Sequence, residues 1–266
     1  MAVFGFIGVG NMGGALARAA AQKVNGPSLL LANRSPEKAE RLAAALDGQV
    51  SDNTAIASEA DYIFLGVKPQ MLPGVLEGLA PVLQARQSPF VLVSMAAGTS
   101  IARVRQLAGG DYPVIRIMPN TPAAIGQGMI LYAPSEDVPA AALETFLDRM
   151  SAAGRFARLE ERLIDAGSAV SGCGPAFVDL FIEALADGGV ACGLPRSTAM
   201  ELAAQMVLGS AALVLSDGRH PGALKDAVCS PGGTTIQGVR ALEKGGFRST
   251  VMEAVIAAYE KNFDLK

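Results

Sequence analysis

The 266-residue chain is poor in the residues that build metal sites and disulfide frameworks, having three cysteines and a single histidine. Cys173, Cys192 and Cys229 are odd in number, widely spaced and form no Cys-x-x-Cys pair, which excludes a disulfide scaffold and gives no zinc ligand set. Free thiols of this kind fit a reducing, cytoplasmic setting. No basic run is present: 22 Lys and Arg against 25 Asp and Glu leave a net charge of −3, and the cations are scattered singly, which argues against a nucleic-acid partner. The first residues lack a cationic segment and a small-residue cleavage site, so no signal peptide is expected. The longest uncharged apolar stretch of helical character, from Leu202 to Ser216, falls short of the roughly 20 residues that a bilayer requires and reads as a core helix rather than a membrane span.

What is abundant is apolar: half the residues, in a chain long enough for two domains. Up to residue 158 short apolar runs alternate with helical patterns, as in successive βαβ units. Val3 to Gly8, Leu29 to Ala32, Tyr62 to Val67, Phe90 to Ser94, Val114 to Met118 and Met129 to Tyr132 are the expected strands. Several are apolar throughout, as strands covered by helices on both faces must be. This predicts an α/β doubly wound Rossmann domain with a mainly parallel sheet. From residue 159 to 266 Ala-, Leu- and Met-rich helical spacing takes over, predicting an all-α second domain. One long helix from Asp165 to Cys192 is expected to break near Gly172-Cys173-Gly174-Pro175, because proline lacks the backbone donor and clashes with the preceding turn. Ser35 before Pro36 and Ser100 before Ile101 read as helix caps, and Thr250-Val251-Met252-Glu253 reads as a capping box opening a last helix to about Phe263. Met118, Met200 and Met206 are expected in the core.

Gly8-Val9-Gly10-Asn11-Met12-Gly13 lies between the first strand and the first helix. In that context the glycines provide a tight turn, close approach of a pyrophosphate, and close helix-to-strand packing, with the anion on the helix N-terminus. About twenty residues further on, where an NAD-specific site carries a carboxylate for the ribose hydroxyl, the chain reads Asn33-Arg34-Ser35. Arginine grips a phosphate through paired N–H donors, so NADPH is the expected cofactor, with NADH admitted in second place. His220 falls in a loop between helices and is expected to fix it, while Arg116, on a strand, is expected to be structural or ion-paired.

Four further segments carry a resemblance: Val67-Lys68-Pro69-Gln70, Ser94-Met95-Ala96-Ala97-Gly98, Met118-Pro119-Asn120-Thr121-Pro122, and Lys225 to Ile236 with Ser230-Pro231-Gly232-Gly233-Thr234-Thr235 at its centre. Together they resemble the pyrroline-5-carboxylate reductase family over nearly the whole chain. The resemblance implies a helical dimerisation domain behind the Rossmann domain, at least a homodimer and, in the family, rings of dimers up to a decamer. It implies that Val67, Lys68 and Pro69, with Met95, Ala96 and Ala97 and with Asn53, join Gly8, Val9, Gly10, Asn11, Met12, Asn33 and Arg34 at the cofactor. It further implies that the substrate is pyrroline-5-carboxylate, with Ser230, Gly232, Gly233 and Thr234 cradling its carboxylate and Thr235 facing the imine nitrogen. Cys173 and Phe177 stand where family members often carry serine and tyrosine, and Cys229 is a smaller departure. Read from the residues alone, Thr234 and Thr235 are equally plain helix caps.

Two other functions fit the glycine loop. A β-hydroxyacid dehydrogenase relies on a lysine in the first helix of its second domain, and this chain has no lysine between Lys68 and Lys225. A non-catalytic NADPH sensor would not require the complete Ser230 to Thr235 segment.

Overall fold

The computed structural model describes residues 2–262. Eight strands form one sheet: β1 (Phe4–Ile7), β2 (Leu29–Ala32), β3 (Gln49–Val50), β4 (Tyr62–Leu65), β5 (Val91–Ser94), β6 (Val114–Met118), β7 (Gly128–Pro134) and β8 (Gly154–Arg158). The helices are α1 (Asn11–Ala20), α2 (Pro36–Leu46), α3 (Asn53–Glu59), α4 (Leu72–Ala85), α5 (Ile101–Ala108), α6 (Ala140–Met150), α7 (Ile164–Ser171), α8 (Gly174–Ala191), α9 (Arg196–Asp217), α10 (Pro221–Ala227), α11 (Thr234–Lys244) and α12 (Phe247–Lys261).

The strand order is β3-β2-β1-β4-β5-β6-β7-β8, parallel at every pairing except β6 with β7. Alternation along the strands explains why they read as unbroken apolar runs. Phe4, Phe6, Leu29, Leu31, Tyr62 and Phe64 enter one core cluster, while Ile7, Leu30, Ala32, Ile63 and Leu65 enter the cluster on the opposite face. Phe6 stacks on Phe64 with ring centroids 4.2 Å apart, and Phe4 on Tyr62 at 4.6 Å. The order reverses between β2-β1 and β1-β4, opening the crevice at the carboxyl ends of the strands where doubly wound sheets bind ligands.

The chain divides into two compact units. One runs to Cys173 and resumes at Ala258; the other is Gly174–Ala257. Within the first, α7 is fastened to the sheet by the buried residues Arg116 and Met118 of β6 and by Asn120, two residues beyond its end. The Arg116 guanidinium meets Asp165 at 2.5 Å and Glu161 at 3.7 Å, Met118 packs with Ile164, and Asn120 Nδ2 donates to Ser171 O at 2.9 Å while its Oδ1 accepts from Met129 N. Arg116 is therefore ion-paired inside the protein, as its place on a strand suggested. The expected break of the long helix falls between Ser171 and Gly174.

Several local expectations are corrected. The hydroxyl of Ser35 makes no cap bond, although Pro36 does occupy the first turn; Ser100 does cap α5, accepting from Arg103 N at 3.1 Å. Thr250 opens nothing. Gly246, with φ +71, turns the chain directly into α12 at Phe247, and Thr250 Oγ1 donates back to Gly246 O from inside the helix. Phe263 lies outside the described residues. Met118 is buried, but Met200 and Met206 are exposed, and α9 is not a core helix within one chain, since Ala199 and Ala203 are its buried residues. By length and composition alone, α9 and the stretch Glu161–Ala191 are apolar enough to cross a bilayer.

Candidate functional site

The glycine loop is held by contacts that forbid side chains. Gly8 has φ +97, and a Cβ there would lie 2.8 Å from the carbonyl of Gly66. A Cβ on Gly13 would come to 2.0 Å from Gly8 O, and one on Gly66 to 2.3 Å from the same oxygen. Gly66, at the end of β4, is a residue that sequence reading missed; the signal was a lone glycine closing an apolar strand. Gly10 differs, because a Cβ there would meet nothing within 4 Å. It caps α1 with backbone alone, so the first N–H groups of the helix face open space above the loop. That is the cradle a dinucleotide pyrophosphate needs, and the residues present fit one.

The remaining residues expected at the cofactor follow neighbouring parallel strands and so gather along one carboxyl edge. Asn33 and Arg34 follow β2, Asn53 follows β3, Val67, Lys68 and Pro69 follow β4, and Met95, Ala96 and Ala97 follow β5. Asn33 spends its amide on the protein, its Oδ1 accepting from Val9 N at 3.2 Å and its Nδ2 donating to Ser35 O at 3.1 Å. Arg34, Ser35 and Lys68 are exposed. Asn53 is the first residue of α3, behind Asp52, whose carboxylate accepts from Ala55 N. Pro69 begins a short 3-10 turn, and Ala96 is buried while Met95 and Ala97 are half-exposed. A cavity of about 470 Å³ opens beside the loop, bounded by Val9, Gly10 and Asn11 and walled by α1 and α2.

In the second unit, Ser230 to Gly233 form a tight turn closed by Gly233 N donating to Ser230 O at 3.0 Å. Pro231 and Gly232 occupy its central positions, and Gly232 takes φ +72, which only glycine adopts without strain. A Cβ on Gly233 would press to 2.4 Å from Ser230 Oγ. Gly233 is the N-cap of α11, so Thr234 and Thr235 are its first two residues and not its caps. Both are exposed, and among the described residues neither hydroxyl has a hydrogen-bond partner. The turn therefore presents free helix N–H groups and two unengaged hydroxyls side by side, an arrangement that holds a small carboxylate and donates to a neighbouring atom. Just upstream, Lys225 pairs with Asp226 at 2.7 Å, a hydrogen bond that raises the lysine pKa. His220 caps α10, its Nδ1 accepting from Gly222 N at 3.0 Å, so the single histidine is occupied in fixing its loop. Among the described residues no three His, Cys, Asp or Glu side chains cluster as metal ligands.

Residues 161–265 match the family described as pyrroline-5-carboxylate reductase dimerisation, and residues 3–98 match that described as NADP oxidoreductase coenzyme F420-dependent. A pyrroline-5-carboxylate reductase of a Synechocystis species is 45% identical over 265 residues, spanning 98% of this chain and 97% of that protein. The chain belongs to the pyrroline-5-carboxylate reductase family. Among solved members, the Plasmodium falciparum reductase with NADP bound superposes with a TM-score of 0.87 at 33% identity, covering 98% of this chain and 97% of that one. The Coxiella burnetii reductase gives a TM-score of 0.92 at 30% identity, covering 100% and 98%. Family membership matches the fold expected from sequence, a mainly parallel Rossmann-type sheet followed by a helical region.

Proposed function

We propose that the chain reduces 1-pyrroline-5-carboxylate to L-proline at the expense of NADPH, the observation that carries this being full-length identity to reductases of that name together with the open Ser230 to Thr235 turn. The dinucleotide-binding part is assigned to residues 1–158 and the dimerisation and substrate part to 159–266. When bound, the nicotinamide supplies the hydride that adds to the imine carbon. The chain does the rest by positioning. The free N–H groups of α1 and the bare backbone of Gly10 take the pyrophosphate. Arg34 and the uncapped hydroxyl of Ser35 take the 2′-phosphate, favouring NADPH over NADH. Val67 to Pro69, Met95 to Ala97 and Asn53 line the rest of the dinucleotide.

For the substrate, Ser230, Gly232, Gly233 and Thr234 hold the carboxylate on the N-terminus of α11. The Thr235 hydroxyl faces the imine nitrogen. A threonine is too weak an acid to give up its proton alone, so it either orients a nitrogen that arrives protonated or passes on a proton from water. Either way one hydride and one proton convert the cyclic imine to the cyclic amine.

The exposed apolar residues of the second unit, among them Leu180, Leu208, Leu215 and Met252, are covered by a second copy of the chain. A homodimer is the minimum and a decamer, built as a ring of dimers, the larger form. The free thiols and the absence of a basic patch support a soluble cytoplasmic enzyme without membrane or nucleic-acid partners. Loss of NADPH absorbance on adding pyrroline-5-carboxylate to the purified chain, with proline formed in equal amount, tests the reading. Retained NADPH binding without turnover overturns it and favours the sensor.

A further inference from the structure

The loop between β5 and α5, Met95 to Thr99, is held only weakly from within. Its own hydrogen bonds are long: Ala96 N donates to Ser94 Oγ at 3.5 Å, Thr99 N to Ala96 O at 3.3 Å and Thr99 Oγ1 to Ala97 O at 3.5 Å. What fixes the loop is a segment 60 residues further on. Glu161, in the short turn before α7, accepts from Ile101 N at 2.6 Å. Ile101 is the first residue of α5, and such an N–H finds no partner inside its own helix. Just beyond Glu161, Ile164 enters the small buried cluster with Met118 against which Ala97 packs. The segment 161–164 therefore grips the loop at two points, its far end through Ile101 N and its middle through Ala97. Asp165 keeps that segment in place by meeting Arg116 at 2.5 Å, and Arg116 lies beside Ser94 in the register of β5 and β6, at the foot of the loop.

α5 has a cap of its own without this remote carboxylate, since Ser100 accepts from Arg103 N at 3.1 Å. The strand order says what the second grip serves. β2, which Arg34 follows, lies on one side of β1, and β4 and β5 lie on the other. A dinucleotide whose pyrophosphate rests on the N-terminus of α1 and whose adenosine half reaches towards β2 lays its nicotinamide half over the ends of β4 and β5. The loop after β5 therefore serves the reacting half of the cofactor. We propose that Glu161 is a positioning residue for hydride transfer: by bonding Ile101 N it holds Met95 to Gly98 in the shape that seats the nicotinamide. A carboxylate suits the task, because its bond to an N–H is charge-assisted and lies at the positive end of the α5 dipole. This role rests on the cofactor reading proposed above and adds to it a residue that acts through the loop.

Calorimetric titration of the full-length chain with NADP⁺ and with adenosine 2′,5′-bisphosphate, which lacks the nicotinamide half, tests this without turnover. Glu161→Ala is expected to raise the Kd for NADP⁺ about three- to tenfold. Its Kd for the bisphosphate is expected to stay unmoved, which also shows that the variant is folded. With NADPH saturating, its kcat is expected to fall about ten- to a hundredfold while KM for pyrroline-5-carboxylate changes little, because a misplaced reacting group costs rate more than affinity. Glu161→Gln keeps a side-chain oxygen for Ile101 N and is expected to recover most of both losses. Ser100→Ala removes the local cap of α5 and is expected to lower the melting temperature while leaving the Kd for NADP⁺ within about twofold of the parent value. If Ser100→Ala weakens NADP⁺ as much as Glu161→Ala does, Glu161 is only a second helix cap and the inference is wrong. It is equally wrong if Glu161→Ala loses both ligands alike, or neither. If the parent chain binds neither ligand, the cofactor reading falls and takes this role with it.

Discussion

Val9 N donates to the side-chain oxygen of Asn33 across 3.2 Å, so the residue that follows β2 braces the loop that follows β1. In the proposed reading Asn33 acts on the cofactor through the loop. Replacing it by alanine removes one bond to a backbone N–H, worth about 0.5–1.5 kcal/mol. The expected outcome for Asn33→Ala is a loss of affinity of about two- to tenfold, equal for NADP⁺ and NAD⁺ because the loop serves both. Calorimetric titration with the two dinucleotides checks this, and a loss confined to NADP⁺ would place Asn33 on the 2′-phosphate instead.

Gly13 and Gly14 are adjacent on α1 and are expected to respond oppositely to alanine. Helix propensity favours alanine at both by about 1 kcal/mol. At Gly14 the new Cβ makes ordinary contact, its nearest neighbour Val9 O at 3.6 Å, so Gly14→Ala is neutral or raises the melting temperature. At Gly13 the Cβ would stand 2.0 Å from Gly8 O, backbone against backbone, and neither side can yield without moving β1. Overpacking of this kind costs about 1–3 kcal/mol or more, exceeding the propensity gain. Gly13→Ala is expected to lower the melting temperature and weaken both dinucleotides; thermal melts at one protomer concentration compare the pair.

The same contrast shows what could be read beforehand. β2 and β6 have the bounds that their apolar runs announced, because strands covered on both faces leave no ambiguity of period. β3 is two exposed residues, Gln49 and Val50, with no pattern to see. Thr250-Val251-Met252-Glu253 satisfied a local cap rule that the preceding Gly246 made irrelevant, since a left-handed glycine can start a helix wherever the chain must turn. The glycine loop was legible from its place between a strand and a helix, whereas the Ser230 to Thr235 turn was singled out by its resemblance to the family. Gly66 was missed because its constraint comes from the Gly8 carbonyl, in a loop distant in sequence. The burial of α9 was misjudged for a related reason: spacing reveals a helix, but not what covers it.

Arg116 and Asp165 form the buried pair that fastens α7 to β6, with side chains 5% and 11% exposed. Removing Asp165 leaves the buried Arg116 with only the longer 3.7 Å contact to Glu161, at a cost of up to about 3–5 kcal/mol. Asp165→Ala is expected to lower the unfolding free energy read from chemical denaturation by that amount, while the double substitution Arg116→Met with Asp165→Leu recovers most of it by replacing the pair with apolar packing. A single-variant loss below about 1 kcal/mol would mean the pair is compensated by solvent and does not hold the helix.

In the proposed mechanism Thr235 is the residue on which the chemistry turns. It is exposed at the second position of α11, and among the described residues nothing engages its hydroxyl. Substitution there is therefore expected to leave the fold alone: melting temperatures of Thr235→Ala and Thr235→Val match the parent, since no bond is lost. If the hydroxyl donates to the imine nitrogen as it becomes an amine, its removal takes away a contact made most strongly in the transition state, and kcat falls about 10²–10³-fold, with KM for pyrroline-5-carboxylate changed little. Thr235→Ser keeps the donor and loses a methyl, so it retains most of the activity. NADP⁺ affinity stays constant in all three, because the residue belongs to the substrate turn. A drop shared by serine and alanine would assign the role to the threonine methyl, and full activity in alanine and valine would return Thr235 to an ordinary first-turn residue, leaving the α11 N–H groups and cofactor positioning to carry the reaction.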